Sequence, residues 1–203
     1  MNSTKASLQH YLFDIGGVLI NFSIPLLVKN LSEKSGLPQE ALKELFRDDC
    51  VRRVESGKIS GSDFFRQQVK PLLPGWSYDD WIASWMDIYT LNEPGMDLLR
   101  ELKRKDSPVY LLSNLAEFNT LAIERKFSGF FDEPDHSFFS YKLGLCKPDV
   151  EIYHAVAERL KVKISSFIFF DDTLKNIEGA DKAGMKGMLF SNERLKEIRS
   201  RLT

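Results

Sequence analysis

Six polar residues stand where short apolar runs stop, or in the loops beside them: Asp14, Ser113, Asn114, Lys147, Asp171 and Asp172. Three carboxylates gathered in one crevice would repel one another unless a divalent cation joined them. A ligand set made only of oxygens selects Mg²⁺ among the common metals. Lys147 and Ser113 would then neutralise and hydrogen-bond the outer oxygens of a phosphoryl group. Each residue has a plainer reading when taken alone: Asp14 as a turn residue, Ser113 as a helix cap, Lys147 as a solvated cation, and Asp171-Asp172 as the first turn of a helix, where acids oppose the dipole. Their order and placement together point to chemistry.

The elements that must position them follow from hydrophobic period. Tyr11 to Ile20 is an apolar run that halts at Asp14, breaks at Gly16-Gly17 and resumes, which predicts a buried strand delivering Asp14 into a sharp turn. Pro108–Leu112 predicts a strand ending at Ser113-Asn114, residues 137–140 a short one, Phe167–Phe170 one ending at Asp171-Asp172, and residues 187–190 the last. Between them fall helices over 94–105 and 116–127, a loop over 141–147, and a helix from Pro148 with Ile152, Val156 and Leu160 at helical spacing. A further helix carries Gly179, Ala180 and Ala183, and a closing one carries Leu195, Ile198 and Leu202. Strand and helix alternating in this way predict an α/β, Rossmann-like parallel sheet with helices on both faces. Ligands of such sheets bind beyond the carboxyl ends of the strands, where these polar residues fall.

Residues 23–90 differ in character. Ser23-Ile24-Pro25 opens a helix that Gly36 ends, a second begins near Pro38, a third near Ser60 to Ser62, and a fourth at Ser77 with Asp80 as its capping-box partner. The aromatics Trp81 and Trp85 read as core packing. Four helices without a strand predict a small bundle inserted into a core made of residues 1–22 and 91–203. Between its second and third helices lie Arg52, Arg53, Glu55 and Lys58, in what reads as a polar turn.

A net charge of -1 offers nothing to attract nucleic acid or an anionic membrane. Two cysteines, Cys50 and Cys146, are too few for a disulfide framework and suit a reducing compartment. Residues 1–10 hold no apolar leader-like run, so a cytoplasmic protein is expected, as a monomer or homodimer.

The sequence resembles the haloacid dehalogenase (HAD) superfamily, in its phosphatase branch with a helical cap after the first strand. The residues that carry the likeness are Asp14-Ile15-Gly16-Gly17-Val18-Leu19, Leu111-Leu112-Ser113-Asn114, Lys147-Pro148-Asp149, and Phe169-Phe170-Asp171-Asp172 with Asn176-Ile177-Glu178-Gly179-Ala180. The first and fourth of these, with the cap stretch Glu55–Ser60, are also similar to bacterial sugar-phosphate phosphatases of the α-D-glucose-1-phosphate kind. The resemblance implies a Mg²⁺-dependent phosphomonoesterase acting on a small phosphorylated metabolite, with a sugar phosphate expected. It implies Asp14 as a nucleophile that becomes an aspartyl-phosphate, and Mg²⁺ on Asp14, the Gly16 carbonyl and Asp172, with Asp171 a ligand or a neighbour through water. Ser113 and Asn114 would bind phosphoryl oxygens and Lys147 would fix Asp14. From residue type alone, Arg52 or Arg53 is expected to touch substrate, since a guanidinium matches sugar hydroxyls or a second anionic group. Asn176 stands where many members carry a second acid.

One departure bears on turnover. The family usually has an aspartate two residues after the nucleophile, where it protonates the leaving group; here that position is Gly16. Such general acid help is worth about 10²- to 10⁴-fold. Three accounts stay open: a leaving group that needs little protonation, a cap residue or metal-bound water acting as the acid, or a silent protein that binds phosphate or a metabolite without turnover. Hydrolytic dehalogenation is disfavoured, since it needs neither the Asp171-Asp172 pair nor Mg²⁺.

Overall fold

The computed structural model describes residues 8–202. The first strand, β1 (His10–Phe13), leads through a tight turn into the two-residue β2 (Ile20–Asn21). Five helices follow: α1 (Ile24–Ser35), α2 (Gln39–Lys43), α3 (Asp48–Glu55), α4 (Gly61–Phe64) and α5 (Tyr78–Met86). The chain then returns through β3 (Thr90–Leu91), which pairs antiparallel with β2. From there helix and strand alternate through α6 (Glu93–Arg104), β4 (Val109–Ser113), α7 (Glu117–Lys126), β5 (His136–Phe139) and α8 (Ser140–Leu143). The alternation ends with α9 (Val150–Leu160), β6 (Phe167–Asp171), α10 (Leu174–Ala183), β7 (Lys186–Leu189) and α11 (Leu195–Ser200).

The main sheet has the order β5-β4-β1-β6-β7, parallel throughout. Successive side chains of a strand face opposite ways, and the core divides on that period. Tyr11, Phe13, Ile168 and Phe170 pack on one face, with α6 and the inserted helices. Leu12, Leu112, Phe167 and Phe169 pack on the other, against Ile152, Tyr153 and Val156 of α9. Burial on both faces explains why β6 reads as an unbroken apolar run. Because β1 is central and in register with β4 and β6, the residue after Phe13 emerges between the ends of both neighbours. That residue is Asp14.

Among the inserted helices, Ser23 caps α1 by accepting from the Leu26 N–H (3.2 Å), and Ser77 and Asp80 close a reciprocal capping box on α5, as their spacing predicts. Four details differ from expectation. The insertion is hinged on the β2–β3 ribbon, whose strands are too short to carry a sequence period. Residues 48–55 are helix α3 and not a polar turn: Val51 and Val54 give it a narrow apolar stripe amid charge, and Asp48 and Asp49 favour its N-terminus. The third expected helix is α4 followed by a π turn over Phe65–Val69. Within the expected loop 141–147, residues 141–143 complete the single turn α8; after it Asp149, not Pro148, takes the N-cap of α9.

Candidate active site

Asp14 is fixed by its main chain. Its N–H donates to the Phe170 carbonyl (2.8 Å), and its Oδ1 accepts from the Ile15 N–H (2.7 Å). Three residues after Asp14, the turn depends on Gly17, which has φ +71 and lies so near Asp172 that a Cβ there would sit 2.0 Å from Oδ2. The loop after β1 therefore passes directly beneath Asp172. One carboxylate oxygen each of Asp14, Asp171 and Asp172 lie within 4.8 Å of one another.

Lys147 joins two of them. Its Nζ stands 2.8 Å from Asp14 Oδ1 and 2.6 Å from Asp171 Oδ2, and 5.4 Å from the centre of the Phe169 ring. The lysine is 3% exposed and Asp171 is fully buried, so removing either partner would strand a charge away from water. Burial pushes the Asp14 carboxyl up to about 7; Lys147 pulls it down and Asp171 pushes it further up, with the Ser113 hydroxyl helping to hold it down. Burial works against the Lys147 ammonium too, yet the two carboxylates outweigh it and hold its pKa above the ordinary lysine value. Desolvation and then Asp171 also raise Asp172 at the exposed rim. Negative charge is crowded here, and a divalent cation would relieve it.

Asp171 is saturated by protein. Besides Lys147 it accepts from the Thr173 N–H (2.8 Å) and from the Asn176 amide at both oxygens (3.0 Å each). An acid at position 176 would repel Asp171; the amide replaces that repulsion with two hydrogen bonds. The Asp172 carboxyl is held more loosely, by a long bond from the Thr173 hydroxyl (3.4 Å) and by its own backbone, which leaves Asp14 and Asp172 as the carboxylates more open to a cation.

The side chains of Asn114, Arg52 and Arg53 are placed differently from the expected substrate contacts. Asn114, expected to bind phosphoryl oxygens, engages both its amide atoms with the Lys147 main chain: Nδ2 donates to the Lys147 carbonyl and Oδ1 accepts from the Lys147 N–H, each at 2.9 Å. It positions the lysine. Arg52 and Arg53, expected to touch substrate, lie on the exposed side of α3, and Arg52 reaches Asp149 (2.7 Å) across to the core. A helix turns about 100° per residue, so Asp48, Val51, Val54 and Glu55 share a face turned away from Arg53, with Arg52 at its edge.

That face lines a cavity of about 310 Å³ between the inserted helices and the sheet edge. Its wall includes Gly16 and Asn114 on one side and Val51, Val54, Trp81 and Trp85 on the other. The tryptophans do pack as core, edge to face at 5.8 Å, and they are cavity wall as well. Their spacing gave only the first of these roles. Glu55 was legible as an acid in the insertion, but its place in the wall required knowing that α3 exists.

The profile of the haloacid dehalogenase-like hydrolases matches residues 8–184. The chain belongs to this family. Among its relatives in the HAD family, the sesquiterpene phosphatase astK of Aspergillus oryzae is 29% identical over 180 residues, covering 87% of each chain. The D-ribitol-5-phosphate phosphatase of Bacteroides thetaiotaomicron is 28% identical over 188 residues, covering 88% of this chain and 90% of its own. A HAD family enzyme of Bacteroides thetaiotaomicron, solved in complex with magnesium and inorganic phosphate, superposes with a TM-score of 0.79 at 24% identity, over 92% of this chain and 96% of that one. That likeness concerns the fold. Among the described residues no helix is long and apolar enough to cross a membrane.

Proposed function

We propose that this HAD-like hydrolase is a Mg²⁺-dependent phosphomonoesterase that takes the phosphoryl group on Asp14 and acts on monophosphates of apolar alcohols. The observation that carries the reaction is the Lys147 ammonium locked between Asp14 and Asp171 with Asp172 alongside, at the edge of a parallel sheet. The phosphatase relatives support it. Asp14 and Asp172, with the Gly16 carbonyl, would hold the cation. When bound, Mg²⁺ supplies positive charge that lets an anionic ester approach a carboxylate.

This chain's own residues do the rest. An Asp14 carboxylate oxygen attacks phosphorus in line with the departing alcohol oxygen, giving an aspartyl-phosphate that water then hydrolyses. Lys147 keeps the attacking carboxylate oriented and offsets charge on the phosphoryl oxygens, while the Ser113 hydroxyl hydrogen-bonds there. Asn114 and Asn176 act at one remove, by holding Lys147 and Asp171. The helical segment 23–90 acts as a cap that excludes water and selects the alcohol.

The choice of alcohol rests on the cavity wall. A sugar phosphate, expected from the sequence, needs a partner for each buried hydroxyl. The wall's amides are already engaged: Asn119 accepts from the Ala116 N–H (3.0 Å) and donates to the Tyr89 hydroxyl (2.9 Å), and Asn114 holds Lys147. Apart from these amides, Asp48, Glu55 and the Tyr89 hydroxyl, the wall is aliphatic and aromatic surface. An alkyl or prenyl chain suits that wall, as the first relative's name suggests. Phosphate release with Mg²⁺ from n-octyl and prenyl monophosphates, against sugar monophosphates, tests the reading. A higher kcat/KM on the apolar esters is expected. A preference for sugars overturns the choice of alcohol, and release from none of them favours a silent binder.

A further inference from the structure

The phosphatase reading leaves the leaving oxygen without a proton donor. An aliphatic alkoxide is too basic to depart unprotonated at a useful rate, and position 16, where the family's usual acid stands, has no side chain. Lys147 is locked between two carboxylates, and Tyr89, which accepts from the Asn119 amide, is pushed by burial further above the ordinary phenol range and is a poor acid. Two acids remain in the cavity wall that contains Gly16: Asp48 and Glu55, at opposite ends of α3. Seven residues of helix put them about 10 Å apart along its axis. Only one end can lie near the reacting atoms.

The C-terminal end of α3 is the one anchored to the core. Gly57, at φ +68, lies so near the Tyr141 carbonyl that a Cβ would sit 2.3 Å from it, and Arg52 pairs with Asp149, two residues past Lys147. Glu55 lies between these two anchors. It is half-buried, yet its carboxyl makes no hydrogen bond or ion pair with any described residue; the Arg52 guanidinium one turn back goes to Asp149 instead. We propose, on the phosphomonoesterase reading, that Glu55 is a catalytic residue supplied by the cap, which protonates the leaving oxygen in place of the acid missing at position 16.

The step balances. As the Asp14 oxygen bonds to phosphorus, the bond from phosphorus to the alcohol oxygen breaks, its electron pair stays on that oxygen, and the Glu55 proton completes the alcohol. Glu55, now a carboxylate, takes a proton from the water that attacks the aspartyl-phosphate, which releases phosphate and restores the Asp14 carboxylate and the Glu55 acid. The electrostatics agree. Burial pushes the Glu55 carboxyl up to about 7, while Lys147 pulls it down, Asp14 pushes it up, and Arg52 pulls it down. Tyr89 and the Cys146 thiol are the other titratable groups that feel it. A donor is most useful with its pKa near the working pH.

The test compares two esters in wild type and in the isosteric Glu55→Gln, with Mg²⁺ present. p-Nitrophenyl phosphate releases a stable phenolate that needs no proton, whereas n-octyl phosphate releases an alkoxide that does. Glu55→Gln is expected to lower kcat on n-octyl phosphate by about 10²- to 10⁴-fold while changing kcat on p-nitrophenyl phosphate by less than about tenfold. Retained p-nitrophenyl phosphate turnover also reports that the variant is folded. Equal losses on both esters, no loss on either, or a change in KM alone overturns the role of Glu55 and leaves the phosphatase reading standing. Failure of wild type to turn over either ester overturns both.

Discussion

The sheet edge and the inserted helices meet at one cavity but are built on opposite terms. At the sheet edge, polar side chains are over-determined: Asp14 follows a strand bonded on both sides, Lys147 is held at its main chain and its ammonium, and Asp171 accepts from three residues. Across the cavity, the short helices α3 and α4, the 3₁₀ turn before α3, and α5 present a wall that is mostly aromatic and aliphatic surface. The first arrangement fixes atoms to a fraction of an ångström, as transfer of a phosphoryl group requires. The second fixes a shape and a solvent character. On the proposed function, chemistry belongs to one side and choice of substrate to the other, with Glu55 the exception that brings a reacting group over from the inserted helices.

Substitutions on the two sides should then fail differently. The largest effect is expected for Asp14→Asn, which keeps the side chain's shape but removes the nucleophile: kcat should fall by at least about 10⁴-fold on every ester, with KM little changed, in a phosphate-release assay. Asp172→Asn should raise the Mg²⁺ concentration for half-maximal activity by more than about 100-fold, since losing even an outer-shell partner of a metal costs about 10- to 100-fold. On the cap side, Val51→Asp should act on KM. Losing about 1.5–3 kcal/mol of apolar contact would raise KM for n-octyl phosphate roughly 10- to 100-fold and spare kcat on p-nitrophenyl phosphate.

Proton supply gives a smaller, pH-dependent difference. Glu55 donates in its acid form, which is lost as pH rises through about 7. Turnover of n-octyl phosphate should therefore drop by about tenfold for each pH unit well above that value, and a pH series on p-nitrophenyl phosphate should lack this limb. The smallest change is expected for Arg52→Ala. Its bond to Asp149 is exposed on both sides, and such pairs are worth at most about 1 kcal/mol, so kcat/KM should fall by less than about fivefold on either ester.

The same contrast explains what could be read from the sequence. Strands buried on both faces are unbroken apolar runs, and the polar residue that ends each run marks the site, so Asp14, Ser113 and Asp171-Asp172 stand out. The fold followed from the alternation of those runs with helical spacing. What escaped notice depended on orientation. Asn114 reads as a ligand for phosphate, and nothing in its spacing shows that its amide bonds the Lys147 backbone. Arg52 and Arg53 look like anion binders until helix α3 turns them outward and brings Glu55 in. The apolar positions of α3 are too few to show a period among charges, and the single turn of α8 is too short to show one at all. The cavity was illegible because Trp81 and Trp85 serve as core and as wall with the same spacing.

The account depends most on the phosphoryl group passing through Asp14. Rapid acid quench during turnover with Mg²⁺, followed by peptide mass analysis, reads this directly. A phosphate adduct is expected on Asp14, in the peptide that carries the loop after β1, and absent in Asp14→Asn or with chelator. Steady release of phosphate by the wild type with the adduct on another residue, or release that persists in Asp14→Asn, would contradict it.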